Sequence, residues 1–324
     1  MKVLFIYISS RSFGTGHYKR VKSYKKMFEK SNINADSKNI IKVSTKKNLV
    51  SFKDNLKKYD FIIFDLSNKN LKRLKLHYNF LKQILRDKIT KFGIIDSLGQ
   101  DQIFNHKFFN FVNIPYFFLK NDFRKVKTKY FCGPQFLFDN QKFLKKKNKK
   151  LNNILITAGG SDLNDSILKI IKLIKKSLIF EKKIYILIGP FFSKEYIKKI
   201  KLFLKRNSFK AKFLRYKQKI SQNLKNIDIV ITSSGLTKYN MLNTNIPFIA
   251  YCENKFQSKL HKAFKMKNFC LTLENLKANH KNVSSINKFF LQSEYRDKLQ
   301  KKRDKHLNKK NDIKNFFQYI KNEI

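Results

Sequence analysis

The sequence predicts an α/β protein made of two doubly wound domains facing one another. Three observations carry this expectation. Short apolar runs recur along the chain, helix-like stretches separate them, and a lysine run near the middle divides the series in two. Alternation of strand and helix specifies an α/β architecture.

The first half offers VLFIYI (3–8), FIIFDL (61–66), FGIID (92–96) and YFFL (116–119). The second offers NILITAGG (153–160), KIYILIG (183–189), KFLRY (212–216), IDIVIT (227–232), IPFIAY (246–251) and FCLTL (269–273). These runs show little alternation, so both faces of each strand are expected to be buried, as in parallel strands covered by helices. Helical spacing occupies 17–30, 71–86, 163–176 and 194–206. The stretch KFLKKKNKKLNN (142–153) has no apolar period and reads as a solvated linker. The domains are therefore expected at 1–148 and 149–324. The tail from about 283 reads as two lysine-rich helices that could pack on either domain.

Length and composition agree. A chain of 324 residues is too long for one ordinary core, and 42% hydrophobic residues exclude a disordered chain. The formal net charge of +50 points first to nucleic acid. Lysine, however, is spread along the whole chain and far outnumbers arginine. Together with abundant Asn, Ile and Phe, no Trp and 9 Gly, it has the skew of an AT-rich coding sequence. Nucleic acid is not the expected partner, although anionic ligands should be drawn in a salt-sensitive way. The 3 cysteines have no metal spacing and read as thiols of a reducing cytoplasm. No run approaches the ~18 apolar residues of a membrane span. The first run meets Arg11 and a glycine turn, so it reads as a strand rather than a signal peptide. A cytoplasmic location follows as the expectation.

Ligands of doubly wound sheets bind outside the carboxyl ends of the strands. After the first strand come Ser9 to His17, with Gly14 and Gly16 able to form a tight turn close to a ligand. His17 then falls at a helix N-terminus, which disfavours the imidazolium, and a neutral ring can serve as general base. The plainer alternative is a strand–helix turn with an exposed histidine. Gly159, Gly160 and Ser161 follow a second-half strand, and Ser233, Ser234 and Gly235 follow another. Two such turns opening helices in one domain suit a diphosphate held by backbone N–H groups, although each alone reads as a capped turn. Asn254 could reach a sugar or ribose hydroxyl, or cap the next helix. Asp65 and Asp96 end strands as turn formers, as orienting groups for His17, or as ligands of a sugar hydroxyl. No DxD, Gly-x-Ser-x-Gly or HExxH pattern occurs, so a metal-dependent transferase is not expected.

The motifs GTGHYKR, CGPQF, ITAGGSD, ILIGP, DIVITSSGLTKYNML and IPFIAYCEN, in this order across most of the chain, resemble the PseG/SpsG family. That resemblance implies two Rossmann-like domains across a cleft, similar to the GT-B peptidoglycan glycosyltransferase MurG. It also implies hydrolysis of a UDP-linked diacetamido-trideoxy sugar in pseudaminic acid biosynthesis, a route to cell-surface polysaccharide. The family's catalytic histidine maps to His17 and its glycine pair to Gly159 and Gly160. Its diphosphate turn maps to Ser233, Ser234 and Gly235, and its asparagine to Asn254. Asn240 stands where the family has a glutamate expected to grip ribose, Lys255 replaces a glutamine, Asn140 an arginine, and Asp65-Leu66-Ser67 an Asp-His-Tyr. The resulting expectation is metal-independent, inverting attack of water at the anomeric carbon, without a cofactor. Its alternative is a GT-B glycosyltransferase using a sugar or lipid hydroxyl as acceptor.

Overall fold

The computed structural model describes the chain except residues 12, 14, 67–68, 96–103, 118–127, 138–142, 144–150, 216–219, 253–257, 259–260, 263, 308–311 and 324, and the side chains of 69–70, 220–221, 306–307 and 312–314. It divides into two compact units, Met1–Asp139 with Lys309–Ile324, and Asn140–Asn308. No helix among the described residues is long and apolar enough to cross a membrane.

In the first unit β1 (Lys2–Tyr7), β2 (Asn34–Asn39), β3 (Phe61–Asp65), β4 (Lys91–Ile95), β5 (Phe111–Ile114) and β6 (Lys129–Cys132) form one parallel sheet. Its order is β2-β1-β3-β4-β5-β6. Helices α1 (Gly16–Lys30), α2 (Lys46–Leu56) and α3 (Lys75–Asp87) follow β1, β2 and β3 in the chain. β3 is buried along its whole length, which is why it shows no alternation. β2 is polar because it is an edge strand with one neighbour, and nothing in NADSKN marks it as a strand.

In the second unit the strands are β7 (Asn153–Thr157), β8 (Lys183–Ile188), β9 (Ala211–Arg215), β10 (Ile229–Ser233), β11 (Phe248–Tyr251) and β12 (Leu271–Leu273), again all parallel. Their order is β12-β11-β10-β7-β8-β9. Its helices include α4 (Ser166–Lys175), α5 (Lys194–Arg206), α6 (Leu236–Leu242), α7 (His280–Leu291) and α8 (Ser293–Leu307).

Two expectations are corrected. Of the strand expected at 116–119, residues 118–119 lie outside the described residues, and Tyr116 and Phe117 come after the strand β5: Pro115 follows it directly, lacks an N–H for the ladder, and the chain turns there, with Tyr116 N–H bonding Ile114 O. The last helix, α9 (Asp312–Asn322), belongs to the first unit, not to the second domain as expected. Its apolar face is the reason: Phe316, Phe317 and Ile320 are buried, with Phe316 4.8 Å from the Phe131 ring and Phe317 5.2 Å from Phe28.

α6 carries an unusual cation. Lys238 is fully buried, and its amine has no hydrogen-bond partner among the described residues. It lies 4.7 Å from the Phe264 ring and 5.1 Å from Tyr239, so ring faces replace part of its hydration. Burial pushes its pKa from 10.5 down to about 7. Below that value the folded state bears the full cost of a buried ammonium. Between there and the unfolded value the folded chain binds fewer protons than the unfolded one, so this residue makes stability rise with pH. Lys238→Met is expected to flatten that rise by on the order of 3 kcal/mol between about pH 7 and 10, read as the difference between urea-unfolding free energies of the two proteins.

Candidate active site

In the first unit chain order reverses between β1 and β3, since β2 lies on one side and β4 to β6 on the other. Doubly wound sheets bind ligands at such a switch point. Register pairs Tyr7 with Asp65, so β1 runs out beside that carboxylate. α1 begins at Gly16, and its second residue, His17, is buried rather than exposed. His17 Nδ1 lies 2.6 Å from Asp65 Oδ1.

Arg20, one helical turn on, fills the rest of the carboxylate. Its Nε donates to Oδ2 at 2.7 Å and one terminal nitrogen donates to Oδ1. The other terminal nitrogen donates to the Tyr116 hydroxyl. This is a two-pronged guanidinium–carboxylate pair, with Asp65 0% and Arg20 4% exposed. Burial by itself would raise the Asp65 carboxyl, but Arg20 and then His17 outweigh it and hold Asp65 below its usual range. Burial likewise opposes the Arg20 charge, and Asp65 outweighs it.

These contacts decide the imidazole tautomer. Arg20 Nη2 is 3.1 Å from the same His17 Nδ1 and could only donate to it. An unprotonated Nδ1 would then face an ionised carboxylate oxygen at 2.6 Å with no hydrogen between them. Two acceptors do not approach so closely, so Nδ1 carries the proton and donates it to Asp65. In the neutral ring Nε2 is then the proton acceptor. Deeper along α1, the Tyr24 hydroxyl donates to Phe136 O at 2.5 Å and accepts from Asn113 Nδ2 at 2.7 Å.

The second unit reverses between β7 and β10. The turn after β7 takes Gly159 through φ 75°, where a side chain would be strained. A Cβ at Gly159 would lie 3.9 Å from Ser233 Oγ, and one at Gly235 3.8 Å from the same oxygen. The two predicted turns are therefore neighbours with one hydroxyl between them. Gly189, after β8, closes against the first turn: a Cβ there would stand 2.4 Å from Gly159 O and 2.5 Å from Gly160 O. Asp162 accepts from Ser166 N at 2.7 Å, Ile167 N at 2.8 Å and the Tyr196 hydroxyl at 2.5 Å. α4 thus starts three residues later than expected, and the Asp162 carboxylate already occupies its N-terminus. Any anion held here must use the turn itself.

Of the residues expected to touch substrate, Gly16, Gly159, Gly160, Ser161, Gly235 and Asn240 are partly exposed at these switch points. Ser233 is buried between the turns. Asp65 is not placed for a sugar hydroxyl, because both oxygens are taken by His17 and Arg20. Ser234 is also turned away, fully buried with its hydroxyl 2.5 Å from His261 Nδ1. Gly14, Asp96 and Asn254 lie outside the described residues. Arg20 was visible only as the last residue of Gly-x-Gly-His-x-x-Arg. Its i+3 spacing from His17, which places both on one helix face, was the available signal. Gly189 was visible only within ILIGP, and Tyr116 and His261 carried no such signal. Among the described residues, no group of three or more His, Cys, Asp or Glu side chains is placed to hold a metal.

Solved structures share this arrangement of sheets. The chain is similar to Anabaena Alr3699/HepE in complex with UDP-glucose, with a TM-score of 0.63 and 10% identity, covering 99% of this chain and 98% of that one. It is similar to a glycosyltransferase from Rickettsia africae at TM-score 0.60 and 12% identity, over 99% and 98% of the two chains. MurG of Acinetobacter baumannii matches at TM-score 0.58 and 10% identity, over 94% and 95%. The fold is that of the GT-B glycosyltransferases. No family model matches the sequence. A curated relative, the uncharacterized protein MJ1062 of Methanocaldococcus jannaschii, is 26% identical over 296 residues, which are 81% of this chain. The chain spans little more than half of that relative, 57% of its length.

Two substitutions test these two arrangements, one in each unit. Asp65→Asn leaves the Arg20 guanidinium buried without its counter-charge and should cost about 3–5 kcal/mol in chemical unfolding at pH 7. Because the folded-state carboxyl is depressed, its contribution is present above the unfolded value and lost as pH falls through the folded one. The gap between wild type and variant should therefore close in acid. Gly189→Ala drives a methyl group into two backbone oxygens, and should lower stability by about 1–3 kcal/mol while displacing the 159–160 turn. Unchanged unfolding of the Gly189→Ala protein would show that the close approach is absent.

Proposed function

We propose that this protein cleaves a UDP-linked sugar at its anomeric carbon, with water as the attacking group and inversion of configuration. The observation that carries the proposal is the 2.6 Å His17–Asp65 contact, which leaves Nε2 as a base. Water donates a proton to Nε2 as its oxygen attacks the sugar, and UDP departs from the opposite face. The Asp65 carboxylate, already accepting from Nδ1–H, stabilises the imidazolium that forms. Such a base contributes about 10²–10⁴-fold. The turns at 159–161 and 233–235 take the diphosphate, and their amides meet the charge that develops on the leaving group. The sequence resemblance favours a diacetamido-trideoxy sugar, in the cytoplasm and on the way to a surface polysaccharide.

A second reading, sugar transfer to a hydroxyl acceptor, is favoured by the GT-B neighbours, among them HepE with UDP-glucose. The same base serves either acceptor. Incubation with a panel of UDP-sugars in ¹⁸O-labelled water separates the two. Hydrolysis predicts UDP release without acceptor and label at the anomeric oxygen, whereas transfer predicts release only after an acceptor is added. In either case His17→Ala should lower turnover by about 10²–10⁴-fold and leave UDP affinity nearly unchanged. Full turnover by that variant would end the proposal.

A further inference from the structure

We propose that His261 is a positioning residue for the diphosphate turns, acting through Ser234; this rests on the reading of those turns as the nucleotide site. His261 lies in the helical segment between β11 and β12 and is 2% exposed. Its Nδ1 stands 2.5 Å from Ser234 Oγ, and its Nε2 has no hydrogen-bond partner among the described residues. A buried histidine whose one hydrogen bond among the described residues is to Ser234 depends on that contact to offset its desolvation.

The contact is the outer end of a chain of hydrogen bonds. Ser234 N–H donates to Tyr251 O at 2.7 Å. The Tyr251 hydroxyl donates to Thr157 O at 3.2 Å. Gly159 N–H donates to Thr157 Oγ1 at 3.3 Å. The chain therefore ties the carboxyl ends of β10, β11 and β7 together and ends on the glycine turn. Ser234 sits between Ser233, whose hydroxyl lies between the two turns, and Gly235, which opens α6. A shift of Ser234 moves both of these neighbours. Burial, with Lys238 and Lys265 adding to it, pushes the His261 ring down to about 3. The ring is then neutral wherever the protein is folded at ordinary pH, and the tie does not switch with protonation.

The test uses the full chain and UDP as the probe, with affinity read by calorimetry. His261→Leu and Ser234→Ala should each weaken UDP binding by about tenfold. The double variant should be no weaker than either single one, because both remove the same bond. His261→Asn, whose amide can stand in for Nδ1, should recover affinity to within about threefold of wild type, which a merely structural loss would not predict. Should His261→Leu fail to fold, Ser234→Ala decides alone, since it removes only a hydroxyl. Wild-type affinity in the folded single variants, or losses that multiply in the double variant, would overturn the inference while leaving the nucleotide site intact. Failure of the wild-type protein to bind UDP would overturn both together.

Discussion

Asp65 holds a full negative charge at the carboxyl end of β3 with no access to water, and the first unit is arranged around that constraint. A bare carboxylate there would protonate or unfold its surroundings, because burial without compensation costs several kcal/mol. The compensation comes from α1. Arg20 reaches both oxygens, and its three-residue spacing from His17 brings the imidazole to the same carboxylate. One ion pair thereby fixes the rotation of the helix, the orientation of the ring and the nitrogen that bears the proton. The aromatic floor beneath it, Phe5, Tyr24 and Phe28 with Phe316 and Phe317 of α9, holds that helix down.

The second unit manages buried polarity differently. Lys238 and Arg303 are buried cations that rest on aromatic rings rather than on carboxylates: Arg303 lies 5.5 Å from Phe248, and Lys238 lies against Phe264. Burial moves both downward, Arg303 to about 10. Around its switch point the unit gathers glycines, and the Asp162 carboxylate there is held by two backbone N–H groups and the Tyr196 hydroxyl rather than by a cation. Gly189 lets its backbone approach the first turn where a side chain would collide, and Gly159 takes a positive φ that a side chain would strain. That division suits the chemistry proposed: a base needs a charge partner beside it, whereas a diphosphate needs open backbone.

Much of this was legible in the sequence. Strands buried on both faces, such as FIIFD and NILIT, stand out because no polar residue interrupts them. The α5 boundaries agree with the helical spacing over 194–206, and Ser193 caps its start, accepting from Tyr196 N. β2 was illegible since an edge strand need not be apolar. Tyr116 and Phe117 misled because apolar character outweighed the proline before them. The tail could not be assigned from sequence, since an amphipathic helix does not say which core it covers. At the site, glycines and His17 were visible as turn chemistry after strands. The partner of Ser234 was not, because His261 meets it across 27 positions of chain. Nor could the sequence tell that Asp65 serves Arg20 and His17 rather than a sugar, which is decided by the register of β1 with β3.

The central claim is a single protonated ring nitrogen, and nitrogen-15 NMR of the His17 imidazole reads it directly. In the neutral ring the spectrum is predicted to show a protonated Nδ1 and an unprotonated Nε2, with the pattern lost in the Asp65→Asn protein. A wild-type ring carrying its proton on Nε2 would contradict the claim, because the nitrogen assigned as base would then have no lone pair to offer.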